Sequence, residues 1–247
     1  CNGQSPKLFT TDKELSSSLI NQIYQDRNGF IWIATEDGLN RYDGAKFTIY
    51  KHEPNNEHSL AHNFVRTVFE DSKGHLLIGT YIGIQMYDPA TDNFTPLAKL
   101  EDTGETLESN INSFIERKNG EIWVSGNVLC KLDIKDHLLT VRKVDIAVTS
   151  PGSLFEDKKQ NVWMAKGEEG VYQLTPDNQL TLHLSKDNGY VKSICEDQRG
   201  NIYVGSIRKG LFIYDKERKT FVPIDLKEKG ELPVCFLYSG IPNELYI

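Results

Sequence analysis

The sequence predicts an all-β chain that folds as a β-propeller of four-stranded antiparallel blades. The main observation is a repeat, because the segment "GFIWIATEDGLNRYDG" at residues 29–44 recurs four more times in altered form. Aligning the copies places a large apolar or aromatic residue in one column every 40 to 46 residues, at Trp32, Leu77, Trp123, Trp163 and Tyr203. Periods of this length are typical of solenoid and propeller units.

The local patterns within each repeat favour strands over helices. In the first copy, "INQIYQD" alternates apolar and polar residues, "FIWIAT" is a run of β-branched and aromatic residues, and "GLNRYD" and "KFTIYK" alternate again. These four runs predict four consecutive strands. A helical repeat would need about 12 residues with apolar positions three and four apart and without glycine, and no such window exists.

Glycines mark the two hairpins that begin each predicted blade. The first hairpin needs a residue in the left-handed conformation, and four repeats supply one at Gly29, Gly74, Gly120 and Gly200. The fourth repeat reads "DKKQN", so Gln160 or Asn161 is expected to take that conformation. A second glycine begins the third strand at Gly38, Gly83, Gly170 and Gly210. The third repeat lacks it, which predicts an irregular second hairpin there.

Together these features predict a single propeller domain over residues 1–247, with five complete repeats and the start of a sixth. The blades are expected at about 18–58, 59–106, 107–150, 151–189, 190–233 and, in part, 234–247. Residues 7–10, "KLFT", resemble a fourth strand and are expected to act as a closing outer strand. We therefore expect an incomplete portion of a seven-bladed ring.

Composition excludes several classes of function. The 28 Lys and Arg residues against 35 Asp and Glu residues give a net charge of −7, which argues against nucleic acid and against general adhesion to anionic membranes. No run approaches the roughly 18 apolar residues of a membrane span. Cys130 and Cys195 are interpreted as small buried hydrophobes. Cys1 fits either a processed or lipidated mature end or an arbitrary chain boundary.

The sequence offers no constellation for catalysis, and we expect no catalytic residue, cofactor or metal. His52, His58 and His62 crowd into one connection but recur in no other, so a metal site there is not favoured. A repeated aspartate in the first hairpin is interpreted as a turn former at Asp26, Asp71 and Asp197. The tryptophans occupy the same strand position in successive repeats, so they are expected to pack between blades rather than to bind sugar.

The first repeat resembles a known family. The segment "ELSSSLINQIYQDRNGFIWIATEDGLNRYD" at residues 14–43 is similar to the two-component regulator propeller repeat, and the similarity recurs in every blade from about residue 7 to 247. The resemblance implies the periplasmic sensor region of a hybrid two-component system of the Bacteroidetes type. In such systems two propellers and a β-sandwich precede a membrane helix, a histidine kinase and a response regulator, and the signals are typically oligosaccharides.

That resemblance sets our expectations for function. The chain would be a non-enzymatic periplasmic portion of an inner-membrane protein whose anchor lies outside it, and the parent would control transcription of glycan-utilisation genes. Its expected partners are an oligosaccharide, the second propeller and β-sandwich of the same parent chain, and a second copy in a homodimer. We expect no direct contact with nucleic acid. Two alternatives are a polysaccharide-active hydrolase or lyase and a scaffold for protein interaction.

Candidate ligand contacts are the loop residues that vary between repeats, because the fold does not dictate them. They belong to the connections that lead into each first strand and to the turns between second and third strands, which converge at one end of a propeller. Amides, a tyrosine and scattered charges suit hydroxyl-rich ligands, and three cations hint at an acidic or sulfated sugar. The candidates are Asn21, Glu36, Asp37, His62, Asn63, Tyr81, Asn110, Asn112, Lys166, Arg208 and Lys209.

Overall fold

The computed structural model describes residues 9–11, 14–184 and 189–225. These residues form strands joined by turns and bends, and no helix occurs among them. No helix in this described part is long and apolar enough to cross a membrane. The chain divides into two compact units: unit one comprises Cys1–Ile111 and Leu132–Arg142, and unit two comprises Asn112–Lys131 and Lys143–Ile247.

Unit one contains two four-stranded antiparallel sheets whose strands follow one another in chain order. The first sheet consists of β1 (Ile20–Gln25), β2 (Ile31–Thr35), β3 (Gly38–Tyr42) and β4 (Phe47–Tyr50). The second consists of β5 (Val65–Glu70), β6 (Leu76–Thr80), β7 (Ile84–Asp88) and β8 (Asn93–Phe94). These two sheets confirm the predicted pattern of four consecutive antiparallel strands.

The third sheet has one strand more than expected. Its strands are β9 (Lys99–Leu100), β10 (Ser113–Glu116), β11 (Ile122–Ser125), β12 (Leu129–Lys135) and β13 (Leu138–Lys143), in the order β10-β11-β12-β13-β9. The short β9 pairs in parallel with β13, with Thr140 opposite Lys99. The long β12–β13 hairpin leaves an outer edge to pair, and the end of the preceding repeat supplies the partner.

Two further sheets in unit two return to the four-stranded pattern. The fourth sheet consists of β14 (Leu154–Glu156), β15 (Val162–Lys166), β16 (Gly170–Leu174) and β17 (Leu180–Leu184). The fifth consists of β18 (Val191–Glu196), β19 (Ile202–Ser206), β20 (Gly210–Asp215) and β21 (Thr220–Pro223). The expected partial blade at 234–247 lies outside the described residues. Of the expected outer strand at 7–10, Phe9 and Thr10 are described and carry no strand assignment.

Neighbouring sheets pack face to face through the repeated aromatic column. In unit one Trp32 and Ala34 of the first sheet pack against Val65 and Val68 of the second. In unit two Trp163 lies in the equivalent cluster, packed with residues of β18 to β21. The relative exposures of Trp32 and Trp163 are 0% and 1%, which confirms that these rings belong to the core.

The first hairpin of a blade is closed by the repeated aspartate, as its interpretation as a turn former required. Asp26 Oδ1 accepts hydrogen bonds from the backbone N–H groups of Asn28 and Phe30 at 2.9 and 3.0 Å, while Oδ2 accepts from Trp32 Nε1 at 2.8 Å. One side chain therefore forms the turn and orients the core indole. In the fourth sheet Gln160 takes the left-handed conformation with φ of 67°, which confirms that expectation.

Within each unit the same hairpins also join neighbouring sheets. The Arg27 backbone N–H donates to Glu70 Oε2 at 2.8 Å, and the guanidinium Nε lies 2.6 Å from Glu70 Oε1. In unit two, Lys158 donates from its backbone to Glu196 at 2.9 Å and from Nζ to two carbonyl groups of the next hairpin. This contact between sheets was not predicted, although the glutamate that precedes the first hairpin of the second to fifth sheets was its signal.

Candidate ligand-binding surface

The predicted ligand contacts lie at one edge of each sheet. In an antiparallel meander the first strand begins, the second ends, the third begins and the fourth ends at the same edge, which we call the upper edge. In the first sheet this edge carries the 35–38 turn, and in the second it carries the 80–83 turn. The connection from β4 to β5, residues 51–64, joins the upper edges of both sheets within unit one.

Asn63 fastens that connection to the turn of the first sheet. Its carbonyl oxygen accepts from Gly38 N at 2.6 Å, its Oδ1 accepts from His52 N at 2.8 Å, and its Nδ2 donates to Asp37 Oδ1 at 3.1 Å. Asp37 Oδ2 in turn lies 2.6 Å from Lys51 Nζ. Asp37, Lys51 and Asn63 are therefore brought together, and the carboxylate and the ammonium group neutralise one another.

Beside this fastening lies a group of three rings, which we call the aromatic platform: His62, Phe64 and Tyr81. The Tyr81 ring centroid is 5.6 Å from that of His62 and 6.0 Å from that of Phe64. Tyr81 N donates to the Phe64 carbonyl at 3.0 Å, and Phe64 N donates to His62 Nδ1 at 2.9 Å. Tyr81 is 53% exposed. The structure thus brings two predicted contacts, His62 and Tyr81, into direct contact and adds a third ring, Phe64, that sequence reasoning missed.

The predicted asparagines have different surroundings. Asn21 Nδ2 donates to the Val65 carbonyl at 2.7 Å, and Asn112 Nδ2 donates to the Pro151 carbonyl at 3.1 Å, so both amides bridge to the start of the next sheet. Asn110 Oδ1 is buried and has no hydrogen-bond partner among the described residues. Glu36 is exposed, and its backbone N–H donates to the Leu19 carbonyl. Binding of a ligand by these residues remains a prediction.

The cations predicted in unit two are paired with neighbouring carboxylates or belong to a turn. Lys166 Nζ lies 2.7 Å from Glu169 Oε2, and Arg208 Nη1 lies 3.3 Å from Glu168 Oε1. Lys209 donates from its backbone to Ser206 Oγ at 3.3 Å. Because Glu168 and Glu169 offset two of these charges, this edge lacks the concentrated positive charge that a sulfated ligand would favour.

The clustered histidines do not converge. His52 Nδ1 lies 2.9 Å from the Leu60 carbonyl oxygen, and His58 Nδ1 lies 3.2 Å from the Phe94 carbonyl oxygen, whereas His62 belongs to the aromatic platform. Among the described residues no group of three or more His, Cys, Asp or Glu side chains is placed to hold a metal ion. Each histidine therefore has a local role in the connection.

The described cysteines behave as buried apolar side chains. Cys130 and Cys195 are 1% and 7% exposed. Burial raises the pKa of the Cys130 thiol to about 11, so the thiol is protonated at neutral pH. These observations confirm the interpretation drawn from the sequence.

A further polar group, centred on the exposed Asp92, was not predicted. Tyr50 Oη and Tyr87 Oη each donate to Asp92 Oδ1 at 2.6 Å, and Arg41 Nη1 lies 3.0 Å from the same oxygen. Burial disfavours ionisation of Asp92, but the two tyrosine hydrogen bonds and the Arg41 charge outweigh it and lower its pKa. Burial, together with hydrogen bonding to Asp92, raises the pKa of Tyr50. These polar groups bind one another and hold the outer strands together.

Comparisons with known proteins agree with the fold and with the repeat. The five sheets place the chain in the β-propeller class. The family described as "Two component regulator propeller" matches residues 14–37, 59–81 and 185–208, so matches occur in both units. The resemblance noted in the sequence is thereby confirmed, and these three segments are similar to the two component regulator propeller repeat.

One relative and two solved structures illustrate the similarity. "Histidine kinase P4" of Formosa agariphila is 42% identical over 55 residues, which are 22% of this chain and 4% of that protein. The extracellular domain of a protein assigned to a hybrid two component system of B. thetaiotaomicron has a TM-score of 0.72 at 18% identity, over 92% of this chain and 34% of that chain. Virginiamycin B lyase from Staphylococcus aureus has a TM-score of 0.63 at 12% identity, over 88% and 74%. At such identities the two structures indicate the fold alone.

Proposed function

We propose that this chain is an extracytoplasmic, non-enzymatic sensor propeller of a two component system and that its ligand is an oligosaccharide. The observation that carries the proposal is the similarity of segments in both units to the two component regulator propeller repeat. The similar fold of an extracellular domain assigned to a hybrid two component system supports the same location. Periplasmic placement, the parent kinase and control of glycan-utilisation genes are parts of this proposal.

The upper edge of unit one supports ligand binding rather than catalysis. It presents a partly exposed aromatic platform beside a neutral Asp37–Lys51 pair, and such a surface can hold a ring and its hydroxyl groups. A glycosidase would need two carboxyl groups with separate acid and nucleophile or base roles, whereas Asp37 is bound to Lys51 and Asn63.

A ligand would signal by binding one arrangement of the parent protein more tightly than another. Differential affinity is the only thermodynamic means by which binding shifts an equilibrium between two arrangements. We propose that the arrangements are those of a homodimer, and that the second propeller and the β-sandwich of the parent chain transmit the change. The ligand site would then couple to the kinase through rigid sheets rather than through flexible segments.

The first test is to translate the gene beyond Ile247. The proposal predicts a second propeller array, an apolar helix and histidine kinase motifs downstream. A stop codon soon after the sixth or seventh blade would refute the sensor assignment and favour a free-standing propeller.

The second test is calorimetric titration of the complete extracytoplasmic region with a panel of oligosaccharides, together with a search for cleavage products. Binding without cleavage is the expected result. Release of new reducing ends or of unsaturated sugars would instead support the polysaccharide hydrolase or lyase. The observation that favours this second candidate is the similarity in fold to a lyase. Failure of every saccharide to bind, with capture of a defined protein partner, would favour the interaction scaffold.

A further inference from the structure

We infer that the aromatic platform of unit one is the subsite that stacks against a pyranose ring, and that the sugar it takes is neutral rather than acidic or sulfated. This inference rests on the proposed function and adds to it the residues and the charge class of the ligand. Three features of the upper edge carry it: the exposure of one ring, the rigidity of its support and the cancellation of the nearby charges.

Tyr81 is the contact ring. Its side chain is 53% exposed although its backbone is fixed by the Phe64 carbonyl, so the ring is presented to solvent by a rigid turn. Tyrosine combines an apolar face with a polar hydroxyl, which suits the C–H face and the hydroxyl rim of a pyranose. The rings of His62 and Phe64 flank it at interplanar angles of 37° and 60°. The three rings together offer a wider apolar surface than one exposed tyrosine.

The support is organised before any ligand arrives. Residues 62–64 carry two of the three rings, and Asn63 between them makes three hydrogen bonds, two of which reach the turn of the first sheet. Arg66 packs its guanidinium carbon 5.4 Å from the centre of the Phe64 ring and holds that ring from another direction. Preorganisation of this kind reduces the entropy lost when a ligand binds.

His62 adds a directional polar contact. Its Nδ1 accepts from Phe64 N at 2.9 Å, so in the neutral imidazole the proton lies on Nε2. The Nε2–H group is therefore a donor for a sugar hydroxyl at the edge of the platform. Because this backbone bond orients the ring, the donor direction is fixed with the rest of the platform.

The charge of the ligand follows from the neighbouring ion pair. Asn63 binds Asp37, and the 2.6 Å contact of Asp37 with Lys51 leaves this pair without net charge. Two further charged groups of this part of the edge, Arg66 against the Phe64 ring and the exposed Glu36, are opposite in sign. An acidic sugar would have to displace Asp37 to reach Lys51. Neutral hydroxyl groups, by contrast, can both donate to Asp37 and accept from Lys51 without breaking the pair.

The experiment is isothermal titration of the complete extracytoplasmic region, and of the 247-residue chain in parallel, with defined hexasaccharides. The probes are cellohexaose, laminarihexaose and maltohexaose as neutral ligands, and hexagalacturonate as the acidic one. The Tyr81→Ala variant is expected to weaken binding of the responding neutral sugar by about tenfold or more. The Tyr81→Phe variant, which keeps the ring, is expected to lose less than about threefold. Equal far-ultraviolet circular dichroism spectra would establish that both variants fold.

Tyr190→Ala is the matched control, because Tyr190 is also an exposed tyrosine, 44% accessible, but lies in unit two against Gly167 rather than in the platform. The Tyr190→Ala variant should bind the responding neutral sugar with the same affinity as the wild type. Binding of a neutral sugar that Tyr81→Ala leaves unchanged would overturn the subsite while leaving the proposed function intact. Binding of hexagalacturonate alone would overturn the neutral class. Binding of no saccharide at all would overturn both the subsite and the proposed oligosaccharide ligand.

Discussion

Replacing Asp157 by alanine tests whether the hairpin aspartate is a structural centre of the blade. The carboxylate is 4% exposed and accepts four hydrogen bonds. Oδ1 accepts from Lys159 N and Asn161 N at 2.9 and 2.8 Å, and Oδ2 accepts from Asn161 Nδ2 and Trp163 Nε1 at 2.7 and 2.9 Å. Alanine removes the acceptor of all four donors at once.

The size of the expected loss in the free energy of unfolding depends on which of these donors can reach water. Asn161 and Trp163 are 8% and 1% exposed, so their side-chain N–H groups would stay buried without an acceptor. Each such group costs about 1–3 kcal/mol, and two of them with the weakened turn give an expected loss of about 3–5 kcal/mol in the free energy of unfolding. For a chain of this length that corresponds to a decrease of roughly 6–10 °C in Tm.

The assay is urea unfolding followed by tryptophan fluorescence, with Asp177→Ala as control. Asp177 is exposed in the last turn of the same sheet, so its variant should lie within about 0.5 kcal/mol of the wild type. In a Trp163→Phe background the further cost of Asp157→Ala should be smaller by at least about 1 kcal/mol, because one of the buried donors is gone. Losses below about 1 kcal/mol for Asp157→Ala, equal to the control, would refute the reasoning.

The remaining predictions concern backbone space and pH. A Cβ at Gly170, where φ is 126°, would lie 1.5 Å from the Leu184 carbonyl oxygen, whereas one at Gly120, where φ is 83°, meets nothing within 4 Å. Gly120→Ala should therefore cost about 1–2 kcal/mol and Gly170→Ala at least about 2 kcal/mol more, by urea unfolding, and equal losses would contradict the clash. Burial lowers the pKa of His183, only partly offset by its hydrogen bond to a backbone carbonyl, so the neutral form is favoured in the fold. Its stabilising contribution should persist above the usual value near 6.5 and be lost as pH falls below it. The urea midpoint of unfolding should decrease less between pH 7.5 and pH 5.5 in His183→Gln than in the wild type. An equal decrease in both proteins would exclude His183 as the cause of the pH dependence.

Much of the fold was predictable because its signals are local. The column of Trp32 and Trp163, the hairpin glycines and the alternating runs each report a few neighbouring residues, and a strand or a turn needs little more. Even the exception at Gln160 was predictable, since the turn demands one left-handed residue whatever its identity. The extra parallel strand β9 was not, because its partner β13 lies about 40 residues further along the chain.

The candidate surface was predictable only as a set of loops. Variation between repeats pointed to Asp37, His62, Asn63 and Tyr81. It did not show which of them stabilise the fold and which are exposed to a ligand. In the structure Asn63 is engaged in the fold, Asp37 is neutralised by Lys51, and Tyr81 is left exposed. Phe64 was missed because an apolar residue just before a strand looks the same whether it points into the core or toward another ring.

The sequence by itself determined the fold class: repeat length, strand alternation and hairpin chemistry are all short-range properties of the chain, and they specify a four-stranded blade. Only the tertiary structure decided which loop side chains meet, since contacts such as that between His62 and Tyr81, or between Arg208 and Glu168, join residues far apart in sequence. Such pairs depend on how two sheets place their connecting loops. The physical reason is that secondary structure is encoded within a few residues, whereas a binding surface is encoded in the packing between elements.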